Sequence, residues 1–258
     1  MTPEATVAEA TSRLRRLTLE DVLAAAELQT RVDRKYLVPL SLLTDLVNRM
    51  QDELCVLQIG DLRLFRYESV YFDTPDLAAY RQHAHGRRRR VKVRTRAYLD
   101  SGECLLEFKS VGAHGETVKE RFPYSFDARH ELDAGARALA DARVGHSIST
   151  PVLREVLTTV YHRSTLVAPE LGFRLTCDVN LGFHDGAGRR FGPVGDLVVV
   201  ESKTAGTESP VDRMLRRLGV RPLSLSKYCL GMALLDPRLP ANRWNRQLRT
   251  HFGWEPEH

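Results

Sequence analysis

Cysteine is scarce and dispersed in this sequence. Cys55, Cys104, Cys177 and Cys229 stand far apart, with no Cys-x-x-Cys pair. That argues against a zinc site or a disulfide framework and fits a reducing compartment. No apolar run approaches the roughly 20 residues of a membrane-spanning helix. The N-terminal segment carries Glu4 and Glu9 and lacks the apolar stretch of a signal peptide. Repeats and long low-complexity linkers are missing too. The glycine-rich 182–195 stretch has no Lys-Ser/Thr ending, which argues against a P-loop. These absences predict a cytoplasmic protein without a membrane span.

The chain has 258 residues, 43% hydrophobic and 28% charged, enough to bury a core without staples. Its net charge is +5 and its pI near 9.1, so an anionic partner is expected. The basic charge concentrates in Arg88-Arg89-Arg90-Val91-Lys92-Val93-Arg94-Thr95-Arg96-Ala97-Tyr98. From Arg90 onward this stretch alternates. In a β-strand, Arg90, Lys92, Arg94 and Arg96 would line one face, and Val91, Val93, Thr95 and Ala97 the other.

Along the chain, residues 1–17 read as a mobile lead-in. A short helix follows, capped by Thr18 and carrying Val22, Leu23, Ala25 and Leu28. A strand over 31–38 puts Arg31, Asp33 and Lys35 in one phase, and Pro39 opens a helix through Leu42, Leu43, Leu46 and Met50. Residues 62–72 predict a strand, a turn at 73–76 leads into a helix with Leu77 and Tyr80, and Gly86 closes it. After the basic strand, 99–102 signals a hairpin and 103–110 the return strand, followed by a strand over 116–122. Residues 127–168 read as helical, including Pro151 to Val160. Further strands are expected over 172–181 and 196–203, with the 182–195 stretch as a loop between them. Helices over 210–218 and 226–235 follow, and the tail from Pro237 is expected to be loosely attached. The core spans about 29–236 of a single domain.

One feature recurs. Six predicted strands set a charged face of mixed sign opposite an apolar one: Arg31/Asp33/Lys35, Lys92/Arg94/Arg96, Glu107/Lys109, Lys119/Arg121, Arg174/Asp178 and Glu201/Lys203. One such strand is ordinary for an antiparallel sheet with a wet face. Recurrence over most of a sheet leaves two arrangements, a broad charged surface or a closed barrel whose lumen they line. Cations and carboxylates together suit a phosphate chain with a divalent metal.

The ordered set Arg31-x-Asp33-x-Lys35-Tyr36, Ser69-Val-Tyr-Phe-Asp-Thr-Pro-Asp76 with Tyr80, Lys92-Val-Arg-Thr-Arg-Ala-Tyr98, Leu106-Glu-Phe-Lys109, Lys119-x-Arg121, Arg174-x-Thr-x-Asp178, Val200-Glu-Ser-Lys203 and Ser226-Lys-Tyr228 resembles the VTC domain. This is the polyphosphate polymerase domain of the vacuolar transporter chaperone family, within the triphosphate tunnel metalloenzymes. The resemblance runs from about Arg31 to Leu235. It implies an α+β fold, with a closed antiparallel barrel of about eight strands and helices packed outside. It implies metal-dependent transfer of the ATP γ-phosphoryl group to a growing polyphosphate chain.

Carried over, Lys35, Arg94, Arg96, Lys109, Lys119, Arg121, Arg174 and Lys203 would be catalytic phosphate ligands. Lys92, Lys227 and Arg90 would add substrate contacts. Glu201 would hold Mn²⁺ or Mg²⁺, with Glu107, Asp178 and Asp33 as candidate further carboxylates or as salt-bridge partners. Many tunnel metalloenzymes begin with Glu-x-Glu-x-Lys. Arg31 and Asp33 occupy the two acidic positions here, which favours the polymerase-type site. The expected partners are ATP and polyphosphate, not nucleic acid.

Two other functions fit the residues: a tunnel triphosphatase, and a polyphosphate-binding module without turnover. Mixed-sign faces weigh against plain nucleic-acid binding, which presents cations with interleaved aromatics. Arg87 to Arg89 read as a solvated cluster, with steering of polyphosphate as the sharper reading. His83, His85 and His114 lack companions at ligand spacing. Tyr71, Tyr80 and Tyr98 read as packing residues, with base stacking as the alternative, and Tyr228 as an anchor of the last helix. Ser226-Lys227 sits at a predicted helix start, where backbone N–H groups favour anions.

Overall fold

The computed structural model describes residues 1–27, 32–112, 117–144 and 153–257. Arg31 and His114 lie outside the described residues. The chain opens with α1 (Pro3–Thr11), β1 (Arg15–Leu17), α2 (Leu19–Glu27), β2 (Val32–Pro39), α3 (Leu40–Arg49) and β3 (Cys55–Leu57). Then come β4 (Phe65–Asp73), α4 (Ala78–Ala84), β5 (Val91–Tyr98), β6 (Glu103–Val111), β7 (Thr117–Tyr124) and α5 (Ala134–Val144). The remainder is β8 (Arg154–Ala168), β9 (Phe173–His184), β10 (Arg190–Val194), β11 (Leu197–Thr204), α6 (Pro210–Arg217), α7 (Lys227–Leu235) and α8 (Asn245–Phe252). The architecture is α+β, with an antiparallel sheet and helices; β1 and β3 pair in parallel. The ladder order ends at β2 and at β7, and no ladder joins those two strands among the described residues. Closure of a barrel is therefore not shown.

Two compact units share the chain. The first comprises Met1–Arg66, Tyr161–Leu181 and Gly192–Leu225; the second comprises Tyr67–Val160, Gly182–Phe191 and Ser226–His258. In the first, the strand order is β2-β11-β9-β8, with β3 beside β8. Its core joins Tyr36, Val38, Leu43, Leu46, Leu175, Val198 and Leu215. Pro210 at the first turn and a capping box between Ser209 and Asp212 start α6 where the sequence predicts it. The buried Asp212 then accepts from Tyr36 Oη at 2.9 Å and Ser202 Oγ at 3.1 Å, which ties α6 to β2 and β11.

In the second unit β4, β5, β6 and β7 follow in order. The predicted alternation of β5 holds: Val91, Val93, Thr95 and Ala97 are buried, while the intervening cations are half-buried. Val91 and Val93 join Val70, Phe72, Leu106, Phe108, Leu132 and Ala136 in the core of this unit. Each large apolar side chain buried there stabilises by about 1.5–3 kcal/mol. Ser226 caps α7, whose residues from Tyr228 to Leu235 are all buried. A Cβ at Gly231 would clash with Phe183 and lie 2.8 Å from Leu157 Cδ2, so only glycine permits this approach.

Four expectations fail. Residues 1–17 are no loose lead-in, since Val7 and Leu14 are buried in the first core around α1. The 127–168 stretch is not helical throughout: α5 covers only part, and Arg154–Ala168 is the long strand β8. Val156, Thr158, Thr159, Val160 and Thr165 are β-branched and fit a pleated surface, a signal that an apolar helical reading overrode. Pro151 itself lies outside the described residues. The 182–195 stretch is not one loop, because β9 continues to His184 and β10 pairs with it. The tail is anchored: Trp244, Leu248 and Trp254 are buried, and Trp254 Nε1 donates to the Ala233 carbonyl at 2.8 Å.

Candidate phosphate-binding site

The second unit gathers cations by register. Lys92 on β5 faces Lys109 on β6, which faces Lys119 on β7. Three lysines thus stand abreast, an arrangement in which like charges oppose each other across strands. The next row reads Tyr71, Arg94, Glu107, Arg121 from β4 to β7, and the row after it begins Ser69, Arg96.

Glu107 is the hub. It is only 1% exposed and receives four cations. Arg94 Nη2 and Lys119 Nζ approach to 2.6 Å, Arg121 Nε to 3.4 Å and Arg96 Nε to 3.8 Å. Burial alone would raise this carboxyl, but Arg94, Arg96 and Lys119 outweigh it and hold Glu107 well below the usual carboxylate range. The cations bear the converse strain. Burial, then repulsion by Arg96, pushes Lys119 down to about 7 despite Glu107. Burial pushes Lys92 down to about 8, with Lys109, Arg94 and Arg90 adding to the shift.

The first unit builds a different face. On β2, β11 and β9 one row is Asp33, Lys203, Arg174, and the next is Lys35, Glu201, Thr176. Glu201 Oε1 lies 2.8 Å from Lys35 Nζ and 3.0 Å from Lys203 Nζ, and Lys203 also reaches Asp33 at 3.3 Å. Burial pushes Glu201 up, but Lys203 and Lys35 prevail and hold it well below the ordinary value. Asp178 is bidentate with Arg163, at 2.5 and 2.8 Å. The Thr176 hydroxyl is buried without a hydrogen-bond partner among the described residues.

The family model of the VTC domain matches residues 30–236. The chain belongs to the VTC domain family. A search of curated proteins returns no match. Among solved structures, the chain is similar to the putative adenylyl cyclase HpAC1 of Hippeastrum, described as having a dominant triphosphatase activity: 16% identity, TM-score 0.48, covering 79% of this chain and 96% of that one. It is also similar to the PH1012 protein of Pyrococcus horikoshii OT3, at 15% identity and TM-score 0.39, covering 74% of this chain and 92% of that one. Both scores lie below 0.5, and the family assignment rests on the family model.

Within this VTC domain, the second unit brings together Lys92, Arg94, Arg96, Glu107, Lys109, Lys119 and Arg121. The first brings together Lys35, Glu201, Lys203 and Arg174, with Asp178 on the same strand as Arg174. Arg90 precedes β5 and donates to the Arg87 carbonyl at 2.6 Å; Arg87 to Arg89 are exposed. Lys227 is the first residue of α7. His83 lies inside α4; burial and the nearby Lys92 and Arg90 push it down to about 2, so it is neutral at pH 7.

Sequence reasoning missed Arg163. It sits on β8, inside the stretch taken for helix, and period-two alternation with Tyr161 and Thr165 was the available signal.

No group of three or more His, Cys, Asp or Glu is placed to hold a metal among the described residues. The donor set therefore decides what fits. Both oxygens of Glu107 and both of Asp178 are engaged by cations. The two lysine contacts of Glu201 fall on Oε1. A single carboxylate suits Mg²⁺ or Mn²⁺, which keep waters and take further oxygens from substrate phosphates. Glu201 is the residue that fits.

Proposed function

We propose that this VTC domain is a metal-dependent polyphosphate polymerase that moves the γ-phosphoryl group of ATP onto the end of a polyphosphate chain. The closed barrel of about eight strands and a cytoplasmic setting belong to the same proposal, the first from the family resemblance and the second from four free, buried cysteines. The observation that carries the reading is the row Lys92–Lys109–Lys119 beside Arg94, Arg96 and Arg121. Four of these cations converge on the buried Glu107 carboxylate, and Lys92 and Lys119 are held below their ordinary value. Such a cluster of arginines and lysines suits the phosphoryl oxygens of a triphosphate or longer chain.

Phosphoryl transfer asks little covalent work of the protein. A terminal oxygen of the chain attacks the γ-phosphorus as the bond to the ADP oxygen breaks. Arg94, Arg96, Lys119 and Arg121 hold phosphoryl oxygens, and Glu107 fixes those cations in place beforehand. Lys92 and Lys109 carry the neighbouring phosphates, with Arg90 and Lys227 as outer contacts. Lys35, Lys203 and Arg174 take the same role on their own face, where Glu201 would hold Mn²⁺ or Mg²⁺. Such an ion would supply positive charge for the phosphoryl oxygens at that face. Preorganised cations of this kind lower the barrier without reorganising during reaction.

Incubation of the full chain with ATP and Mn²⁺, followed for long-chain polyphosphate and free phosphate together, tests the reading. Long chains are expected. Free phosphate alone would make the protein a triphosphatase, and neither product would leave a binding module.

A further inference from the structure

Arg94 is held at both ends. Its Nε and Nη2 reach Glu107 Oε2, at 2.7 and 2.6 Å. Its Nη1 donates to the hydroxyl of Tyr71 at 2.9 Å. Tyr71 is itself only 4% exposed, so it offers no platform for a nucleotide base. Its ring stacks on Tyr228, with centroids 5.0 Å apart and planes at 23°. Tyr228 meets the edge of Tyr80 at 6.1 Å and 85°.

Behind the stack lies a fully buried carboxylate. Tyr228 Oη donates to Asp73 Oδ2 at 2.5 Å. Asp73 Oδ1 also accepts from the backbone N–H of Thr74 and Ala79, and Oδ2 from that of Tyr80, at 2.7 to 2.9 Å. Four donors on one carboxylate lock the turn between β4 and α4 to the start of α7. Tyr80 Oη is fixed in turn by the Pro240 carbonyl at 3.1 Å. A buried tyrosine stack so anchored has one rotamer and little freedom.

We propose that Tyr71 is a positioning residue for phosphoryl transfer: its hydroxyl, aimed by the Tyr228 stack and the Asp73 carboxylate, sets the guanidinium of Arg94 for the substrate. A guanidinium gripped by Glu107 alone can pivot about that contact. With Nη1 held by Tyr71 as well, it keeps one plane, and a planar fork binds a phosphoryl group only when its plane is right. The substrate side of this inference rests on the reading of Arg94 as a phosphate ligand. The positioning itself does not.

The test uses the full chain carrying isotope-labelled arginine, with Arg94→Lys to assign the Arg94 signals. Unsubstituted protein should show slow rotation of the Arg94 guanidinium by NMR. Tyr71→Phe, which keeps the ring and the stack, should abolish it at an unchanged thermal midpoint, and Tyr228→Phe should weaken it less. Tripolyphosphate affinity should fall about tenfold in Tyr71→Phe. The same substitution in an Arg94→Ala background should add nothing. Unchanged Arg94 rotation in Tyr71→Phe overturns the proposal, as does an equal affinity loss in both backgrounds. If rotation responds as expected but the unsubstituted chain binds no tripolyphosphate, Tyr71 still positions Arg94 and the polymerase reading falls instead.

Discussion

The two charged faces differ in how their charge is balanced. In the second unit four cations converge on Glu107, and three lysines stand side by side. In the first unit charges alternate: Asp33, Lys203, Glu201 and Lys35 form a chain of contacts at 2.8 to 3.3 Å, and Arg163 closes on Asp178. An alternating face satisfies itself. A face with one carboxylate under four cations carries a charge debt that an anion would settle. The two faces thus present an anion with different surroundings: alternating charges in the first unit, and cations converging on one carboxylate in the second.

The largest effect expected from breaking this contrast is at Glu107. Glu107→Gln removes the one negative charge from a buried cluster and should cost about 3–5 kcal/mol, read by urea unfolding. Glu201→Gln leaves two half-buried lysines, of which Lys203 still has Asp33 at 3.3 Å. It should cost far less stability, yet abolish Mn²⁺-dependent activity if Glu201 holds the ion. Next come the ligands. Arg94→Ala or Arg96→Ala should weaken tripolyphosphate binding about 10- to 100-fold by calorimetry, since each removes hydrogen bonds to a charged group. Smallest is Arg88→Ala. It is exposed ahead of β5, and its loss should slow association slightly and only at low salt, in stopped-flow traces taken at two ionic strengths.

The lysines also give stability a pH dependence with a fixed sign. Lys119 is held near 7 and Lys92 near 8, against an ordinary value of 10.5. Between about pH 7 and 10.5 the unfolded chain therefore binds more protons than the folded one, and stability without ligand should rise with pH across that window. Urea midpoints at pH 7 and 9 check this. Lys119→Met and Lys92→Met should flatten the slope.

Much of this could be read from residue order. Period-two alternation in 90–97, the hairpin at 99–102 and the helix start at Ser226 are local signals, and each element formed where they predicted. The charged phases of β2, β5, β6, β7, β9 and β11 also follow from alternation. What alternation could not supply is register across strands. That Lys92, Lys109 and Lys119 fall in one row, or that Glu107 serves four cations, depends on pairings between segments far apart in sequence. Arg163 was lost for a related reason. The Val- and Thr-rich stretch around it follows an Ala-rich helix, and its strand character comes from pairing. Tyr71 reads as a packing residue because its contact with Arg94 depends on the register between β4 and β5, and Asp73 reads as a turn residue because its link to Arg94 passes through Tyr228, more than a hundred residues away.

Burial holds Lys92 and Lys119 below the ordinary lysine value, and a bound phosphate chain is expected to restore their charge. Calorimetric titration of tripolyphosphate at pH 8, in two buffers of different ionisation enthalpy, measures it directly. Binding should take up protons from the buffer, because the anion restores Lys119 and Lys92 to their charged forms, and affinity should fall as pH rises from 7 to 9. Tight binding with no net proton uptake, unchanged in Lys119→Met, would contradict the account.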